Sequence, residues 1–289
     1  MAVNRWYSND LHHLVFFVDS MKRYAFVVIS LMAFALVASA SHSWGGYHWA
    51  RTANPFVLKL GDNVSSVWDS YLGVASSDWS KSSVLDTAVI SGNTDPRRCR
   101  ATNGRVEVCN SKYGNNDWLG IASIWVSGSH ITQGTVKVND TYFNTPTYNT
   151  PAWRQFVVCQ EVGHTFGLDH QDITFDNSNL GTCMDYTSDP DGTIKGQLSN
   201  LHPNAHDYEE LGIIYAHLDG FTTLISKKLF GAAFAKAESS ASSEPAESDF
   251  TNPQEWGKVI RRDHEGRSSL HERDLGKGEK VFTFVIWAD

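Results

Sequence analysis

Short apolar runs separated by Gly, Asn, Asp and Ser occupy most of residues 55–143. Apolar and polar residues that alternate over such runs are typical of half-buried β-strands, and the flanking turn residues end each run. The pattern therefore predicts a sheet in the first half of the chain. The predicted strands are the runs PFVLKLGDN, DTAVIS, GRVEVCN, WLGIASIWV and GTVKVNDTYF.

Three other segments have the apolar spacing of helices. Residues 65–80 repeat apolar positions at helical gaps, and residues 152–166 predict a second helix. Gly167 should end that helix, because glycine tolerates the left-handed conformation found there. A third helix is predicted to start after the capping residue Asn204 and to close at Gly220. A sheet with a long helix against it is the simplest architecture, which is an α+β fold.

The N-terminal region has the three parts of a secretory signal peptide. Residues 21–23 are basic, residues 24–37 are an uncharged apolar run, and residues 38–40 are small. A membrane anchor is the alternative, but the run is shorter than the ~20 residues that a spanning helix needs. We expect translation to start at Met21, cleavage after residue 40, secretion, and no stable membrane insertion afterwards.

The C-terminal region changes in composition. Residues 232–249 are rich in Ala, Ser and Glu, which predicts a flexible linker. Residues 250–289 end in the strand-like run EKVFTFVIWAD but are too few for an independent core. The predicted organisation is an extension with a signal peptide over 1–40, a main domain over 41–231, the linker, and a small C-terminal segment.

Overall composition narrows the class of partner. The chain has 289 residues, 41% of them hydrophobic, so it can bury a sizeable core. Its net charge of -8 and its lack of a basic cluster argue against nucleic acid as a partner. A monomer is expected.

The four cysteines favour two disulfide bonds once the chain is exported. Four cysteines allow three pairings. Cys99 and Cys109 flank a short loop, so a local bridge between them is natural, which leaves Cys159 with Cys183. The alternative is four buried thiols.

The stretch VVCQEVGHTFGLDH carries the candidate chemistry. Residues four apart on a helix face the same way, so Gln160 and His164 can point at one metal ion. Glu161 lies beside them and can reach a metal-bound water. A chain reversal at Gly167 would bring His170 in as a third ligand. Three protein ligands plus a water are the arrangement of catalytic zinc. Ordinary surface or core histidines are the alternative.

The run QEVGHTFGLDH, followed by TCMDY, resembles the metal-binding motif and Met-turn of the metzincin zinc endopeptidases, in particular their bacterial matrixin-like branch. The resemblance covers roughly residues 55–219. It implies a metzincin-like catalytic domain of class α+β, with a twisted mixed β-sheet, two long helices, a Met-turn at Met184 and a C-terminal helix. The chain departs from the family at Gln160, where metzincins have histidine.

The resemblance implies a secreted zinc-dependent endopeptidase that cleaves protein or peptide substrates. The metal ligands would be Gln160, His164 and His170, and Glu161 would be the general base for a metal-activated water. Tyr186 would stabilise the transition state or only pack. A Cys159–Cys183 bridge would fasten the metal helix to the Met-turn. Substrate would lie along the edge strand of the sheet, at Gly120, Ile121, Ala122 and Ser123.

Several alternatives remain open at the sequence level. The glutamine amide is a neutral ligand like imidazole, but the first position could instead be filled by His130, His202, His206 or water. A catalytically silent protein of the same fold that binds peptides is the competing function. The Asp-rich pieces SDPDG and DITFDN could bind structural Ca²⁺, although solvated loops are the favoured interpretation. No cysteine lies between the signal peptide and Cys99, so latency would need a device other than a cysteine.

Overall fold

The computed structural model describes residues 42–224 and 250–288. The predicted signal peptide and the predicted linker at residues 232–249 lie outside the described residues. Within the described ranges, no helix is both long enough and apolar enough to cross a membrane.

One nine-stranded mixed sheet forms the frame of the molecule. All five strands predicted from apolar runs are confirmed, and so are the α+β class and the mixed sheet. The strands are β1 (His48–Trp49), β2 (Phe56–Asn63), β3 (Leu85–Ser91), β4 (Val106–Ser111), β5 (Trp118–Ser127), β6 (His130–Asn139), β7 (Lys258–Arg262), β8 (Ser268–Gly276) and β9 (Glu279–Trp287).

The strand order is β3-β2-β4-β6-β5-β9-β8-β7, and β1 pairs with the start of β6. The first four strands of this order run parallel to one another, whereas β5, β9, β8 and β7 are joined by antiparallel pairing. Parallel strands need long crossovers, and α1 supplies the one between β2 and β3.

The part of the chain that the structure describes has four α-helices: α1 (Asp69–Trp79), α2 (Asp140–Phe143), α3 (Pro151–His164) and α4 (Ala205–Ile214). Thr150 caps α3 by accepting a hydrogen bond from the Trp153 backbone N–H, and Pro151 occupies the first turn, where its missing N–H costs nothing. From Arg154 onward every residue of α3 is buried. The helix carrying the candidate chemistry is therefore a core element, packed against the sheet and α1.

The predicted start of α4 is confirmed, but its predicted end at Gly220 is wrong. Asn204 and Asp207 form a reciprocal capping box. The helix stops at Ile214 because tertiary contacts take over: the buried Arg51 guanidinium donates to the Tyr215 carbonyl oxygen at 2.8 Å and pairs with Asp219.

Both predicted disulfide bonds are confirmed. Cys99 is joined to Cys109, and Cys159 on α3 is joined to Cys183. Within the described ranges, no cysteine is free. The second bridge fastens α3 to the segment that precedes Met184.

The prediction that β5 is an edge strand is wrong. It lies between β6 and β9, and Ile121, Ala122 and Ser123 pair with Val285, Phe284 and Thr283. The apolar C-terminal run provides the reason, because an open ten-residue strand would leave a row of unpaired backbone groups that β9 satisfies. Gly120–Ser123 are therefore covered in this structure by the chain's own C-terminal segment, defined here as residues 250–288.

Candidate metal centre

Helix α3 and the turn after it bring two of the predicted ligands, His164 and His170, together. Gln160 and His164 lie one turn apart on α3. Gly167 then adopts a left-handed backbone conformation, with φ of 96°, and a side chain there would collide with the Tyr47 carbonyl oxygen. This reversal carries the chain back so that His170 reaches His164.

The two histidines face each other through their Nε2 atoms, which are 3.0 Å apart. His164 Nδ1 donates to the Leu168 carbonyl oxygen at 2.9 Å, an arrangement that leaves the Nε2 lone pair free. Zinc–nitrogen bonds of about 2.0–2.1 Å in a tetrahedron put ligand atoms roughly 3.3 Å apart. The pair is thus close to the separation that a shared zinc ion requires.

The side chain of Gln160 has one polar atom without a partner. Its amide nitrogen donates to the carbonyl oxygens of Cys183 and Asp185, at 2.8 and 3.3 Å. Carbonyl oxygens only accept hydrogen bonds, so this contact decides which end of the amide faces them. The amide oxygen Oε1 is buried and accepts no hydrogen bond. A buried acceptor left free on the same helix face as His164 fits a metal ligand.

Both histidines are held neutral by their surroundings. Burial lowers the pKa of His164 to about 4, although its Leu168 carbonyl contact acts in the opposite direction. The pKa of His170 lies well below its ordinary value because of burial and then because of His164. Neutral imidazole is the form that binds metal ions, so the site is in its ligating state at neutral pH.

Glu161 is fully buried next to β5. Burial raises the pKa of its carboxyl well above the ordinary value, and the facing Ala122 N–H offsets only part of this. Neither carboxylate oxygen accepts a hydrogen bond of normal geometry. Gly120 makes the approach of β5 possible, because a Cβ there would lie 3.0 Å from Glu161 Oε1. An acid with a raised pKa and free oxygens is suited to taking up and releasing a proton.

The Met-turn and the tyrosine after it also lie at this centre. Met184 is buried, and its sulfur lies so close to Gly163 on α3 that a Cβ there would approach it to 2.6 Å. The Tyr186 ring packs on His170, with centroids 4.4 Å apart. Burial raises the pKa of Tyr186 far above its ordinary value, so the hydroxyl remains a hydrogen-bond donor.

Strand β9 covers the centre. The Phe284 ring stacks on the His164 imidazole, with centroids 4.1 Å apart and planes at 10°. The Tyr186 hydroxyl donates to the Val285 carbonyl oxygen at 3.3 Å. Arg261 on β7 pairs with Asp169, the neighbour of His170. The C-terminal segment therefore contacts both histidine-bearing parts of the centre.

The alternative donors for the first ligand position have other partners. His130 Nε2 lies 3.2 Å from Asp219, His202 Nδ1 lies 2.5 Å from Asp78, and the His206 ring packs on the His42 ring. The Asp-rich piece around Asp191 is engaged in local turns, where its carboxylate accepts hydrogen bonds from Thr193. Calcium binding there stays a prediction.

Sequence reasoning missed a second group of ligand-type side chains. His48 on β1, His130 on β6 and Asp219 after α4 bring one possible ligand atom each within 4.8 Å of one another. His217 Nε2 adds a fourth, 3.1 Å from His48 Nε2 and 3.8 Å from Asp219 Oδ1. These four residues are called the His/Asp cluster below. The His-x-Asp spacing at 217–219 was the one local signal in the sequence.

Comparisons with known proteins do not identify a family. No family model matches the chain, and no curated protein matches it significantly. One similar solved structure is high choriolytic enzyme 1, a hatching-enzyme zinc protease from Oryzias latipes (medaka fish), at 10% identity and a TM-score of 0.35, covering 60% of this chain and 96% of that chain. Myroilysin is another, at 12% identity and a TM-score of 0.32, covering 63% of this chain and 97% of that one. At these TM-scores the likeness carries no argument about fold or function.

Proposed function

We propose that this protein is a secreted zinc-dependent endopeptidase of metzincin type, related to the matrixin-like branch, with Gln160 in place of the first histidine ligand. The observation that carries the proposal is the 3.0 Å contact between His164 Nε2 and His170 Nε2, on the helix where the Gln160 amide oxygen has no hydrogen-bond partner. Glu161, the next residue of that helix, is fully buried. The two disulfide bonds support an extracellular location.

Zinc, when bound, supplies a Lewis acid that polarises the scissile carbonyl and makes a water molecule more acidic. Gln160, His164 and His170 would hold it. Glu161 would take a proton from that water and pass it to the leaving amine, for which its raised pKa is suited. The protonated Tyr186 hydroxyl would donate a hydrogen bond to the oxygen on which negative charge develops.

Substrates would be proteins or peptides that pair in extended form with β5 at Gly120–Ser123. This requires β9 to leave β5, because the two strands are paired in this structure. The competing function, a silent protein that binds peptides along the same strand, needs the same displacement. Retention of Glu161 between two candidate ligands favours the enzyme, since simple peptide binding has no use for a buried carboxyl.

The proposal is tested by zinc content and by cleavage of an unfolded protein substrate, for the native chain, Gln160→His and Glu161→Ala. We expect the native chain to hold zinc at this centre and to cleave, and Glu161→Ala to keep the zinc and lose cleavage. If the native chain holds no zinc at this centre and Gln160→His gains both zinc and activity, then Gln160 has abolished zinc binding and catalysis at the site.

A further inference from the structure

We propose that the His/Asp cluster is a second zinc site with a structural role. Three of its possible ligand atoms, from His48, His130 and Asp219, lie around a common point within 4.8 Å of one another, and His217 Nε2 lies beside two of them. Asp219 Oδ1 lies 3.6 Å from His48 Nε2, 3.2 Å from His130 Nε2 and 3.8 Å from His217 Nε2. These separations bracket the roughly 3.3 Å expected between ligand atoms of a tetrahedral zinc ion.

Neighbouring groups orient two of these ligands toward that point. His48 Nδ1 donates to the Gly46 carbonyl oxygen at 2.8 Å, so the neutral ring directs its Nε2 lone pair at the cluster. The other oxygen of Asp219, Oδ2, accepts from the Arg51 guanidinium at 2.9 Å and from the Arg51 backbone N–H at 3.1 Å. Oδ1 is thereby left for the histidines. Such outer contacts are the usual support of metal-bound His and Asp.

Without an ion, hydrogen bonds connect the group in pairs: the His48 Nε2 lone pair can accept from the His217 Nε2–H at 3.1 Å, and the His130 Nε2–H can donate to Asp219 Oδ1 at 3.2 Å. The 3.6 Å approach of His48 Nε2 to Asp219 Oδ1 joins two acceptors and gains nothing from hydrogen bonding. A divalent cation between the four atoms would satisfy all of them. Three imidazoles and one carboxylate are a donor set that suits zinc.

The position of the cluster indicates what the ion would do. His48 and His130 are register partners where β1 pairs with β6, and Asp219 follows α4 near the end of the first described range. The ion would join three segments that are distant in sequence, and four protein ligands would leave no position open for substrate. A closed site of this kind contributes to folding free energy rather than to catalysis.

The test is the zinc content of the mature chain after dialysis against Zn²⁺ alone. We expect His130→Ala/His217→Ala to hold one zinc ion fewer per chain than the native protein. The matched control is His202→Ala/His264→Ala, which removes two exposed histidines outside both sites and should leave the zinc content unchanged. This difference does not depend on whether the centre on α3 is loaded.

A safer variant for folding is His217→Ala, because the His217 side chain is 56% exposed. We expect it to weaken the binding of one zinc ion by about tenfold or more. Equal zinc content and equal affinity in the native chain, the double variant and His217→Ala would overturn the proposal. The cluster would then be a histidine–carboxylate ion-pair group without a metal.

A second inference follows from β9 and rests on the proposed function. We infer that the C-terminal segment holds the zinc endopeptidase in a latent state. Its strand β9 runs antiparallel along β5, at the residues proposed to bind substrate. Its Val285 carbonyl oxygen accepts from Tyr186, the residue proposed to meet the reacting oxygen of a substrate. The segment thus takes the place of an extended peptide.

Three contacts from this segment close the centre. Phe284 stacks on His164, Arg261 pairs with Asp169, and the Arg267 guanidinium lies 5.1 Å from the centre of the Phe175 ring. Glu161 and His164 are at most 1% exposed beneath them. No substrate can reach a carboxyl buried to this degree until the segment moves.

Phe284→Ala in the full chain tests this inference. We expect it to raise the rate of cleavage by about tenfold or more. The affinity for a peptide hydroxamate, a probe that binds both zinc and an extended substrate site, should rise by a similar factor. A tenfold change corresponds to roughly 1.4 kcal/mol, which the loss of one stacked contact between the segment and the centre can supply. Phe282→Ala is the matched control, because Phe282 packs on Trp44 and Tyr47 instead of His164.

A disulfide lock provides the reverse test. Ser123 and Thr283 are register partners with hydroxyl oxygens 3.0 Å apart. Adding Ser123→Cys/Thr283→Cys to Phe284→Ala should abolish the gain when oxidised and restore it when reduced. Hydroxamate affinity equal in native and Phe284→Ala chains, both loaded with zinc, would overturn latency. Higher affinity without cleavage by any variant would instead overturn the endopeptidase function and leave the closure standing.

Discussion

The centre on α3 and the His/Asp cluster differ in how far apart their ligand-type residues lie in the sequence and in which donor atoms they offer. At the α3 centre the residues lie within eleven positions of the sequence, yet one expected histidine is a glutamine, and all of them are buried under β9. The His/Asp cluster draws its members from β1, β6 and the segment after α4, and it offers three histidines and a carboxylate near the surface.

This difference shows that a recognisable sequence motif does not guarantee a complete set of metal donors, and that a complete set can form without a motif. A helix repeats its faces every three to four residues, so a local motif is visible in sequence even when one donor has changed. The His/Asp cluster depends on a parallel register between β1 and β6 and on the turn after α4, and neither leaves a local pattern. We expect the α3 centre to serve chemistry and the cluster to serve stability.

The largest expected effect is a loss of cleavage activity on a change at the α3 centre that leaves the His/Asp cluster untouched. Glu161→Gln removes a proton acceptor from the α3 centre and should lower cleavage by about a hundredfold to ten-thousandfold, the range typical of lost general base catalysis. Zinc content at both sites should not change, because Glu161 is not a proposed ligand. Loss of zinc along with activity would instead make Glu161 part of the metal shell.

Removal of metal should distinguish the two sites through the thermal stability of the protein. A ligand that binds only the folded state at a hundred times its Kd stabilises by about 2.7 kcal/mol. At about 2–4 °C per kcal/mol for a chain of this size, a chelator should lower the Tm of the native protein by about 5–10 °C. The fall should be clearly smaller in His217→Ala, measured by thermal unfolding with and without chelator. Equal falls in both chains would place the stabilising ion at the α3 centre.

A pH effect is expected at the α3 centre. Burial raises the pKa of Asp185, whose carbonyl oxygen accepts from Gln160, to about 6. The folded state therefore holds the proton of the Asp185 carboxyl more tightly than the unfolded chain does. The protonated carboxyl contributes its full stabilisation below about pH 4, and this stabilisation is lost as the pH rises to about 6.

Asp185→Asn imitates the protonated acid and should lose this dependence. Relative to the native chain it should gain on the order of 2 kcal/mol of unfolding free energy between pH 4 and pH 7. Urea unfolding of both chains at the two pH values measures the difference. Parallel changes in the two chains would show that the Asp185 carboxyl is not the group responsible.

The smallest expected effect compares the helices that support the two sites. Asn204→Ala breaks the capping box of α4, which leads into His217 and Asp219, and should cost about 1 kcal/mol of stability. Thr150→Ala removes the cap of α3 at similar cost. We expect the first variant to weaken zinc binding at the His/Asp cluster and the second to spare it, as measured by zinc titration.

Elements with local signals could be predicted from the sequence. Five strands, the reversal at Gly167 and the Asn204 cap follow from alternation, glycine and capping chemistry within a few residues of each position. The disulfide bonds followed because only one pairing kept Cys99 with its near neighbour Cys109. The gathering of His164 and His170 was equally accessible, since helix periodicity and one turn determine it.

The rest depends on contacts between distant segments. The end of α4 is decided by Arg51, which lies more than 160 positions earlier and binds the Tyr215 carbonyl oxygen. The strand character of residues 279–287 was visible in their alternation, but their partner was not, because alternation says nothing about which strand a run will join. The same limit concealed the stacking of Phe284 on His164.

The position of β9 also bears on how the protein behaves at high concentration. Without the C-terminal segment the sheet would end at β5, a ten-residue strand that is almost wholly apolar and therefore prone to pair with another chain. With it, the sheet ends at β7, a short strand carrying Lys258, Arg261 and Arg262 whose pairing with β8 is interrupted twice by bulges. Charged side chains and irregular pairing on a terminal strand discourage edge-to-edge association of sheets. The C-terminal segment that covers the α3 centre therefore also lowers the tendency of the protein to aggregate.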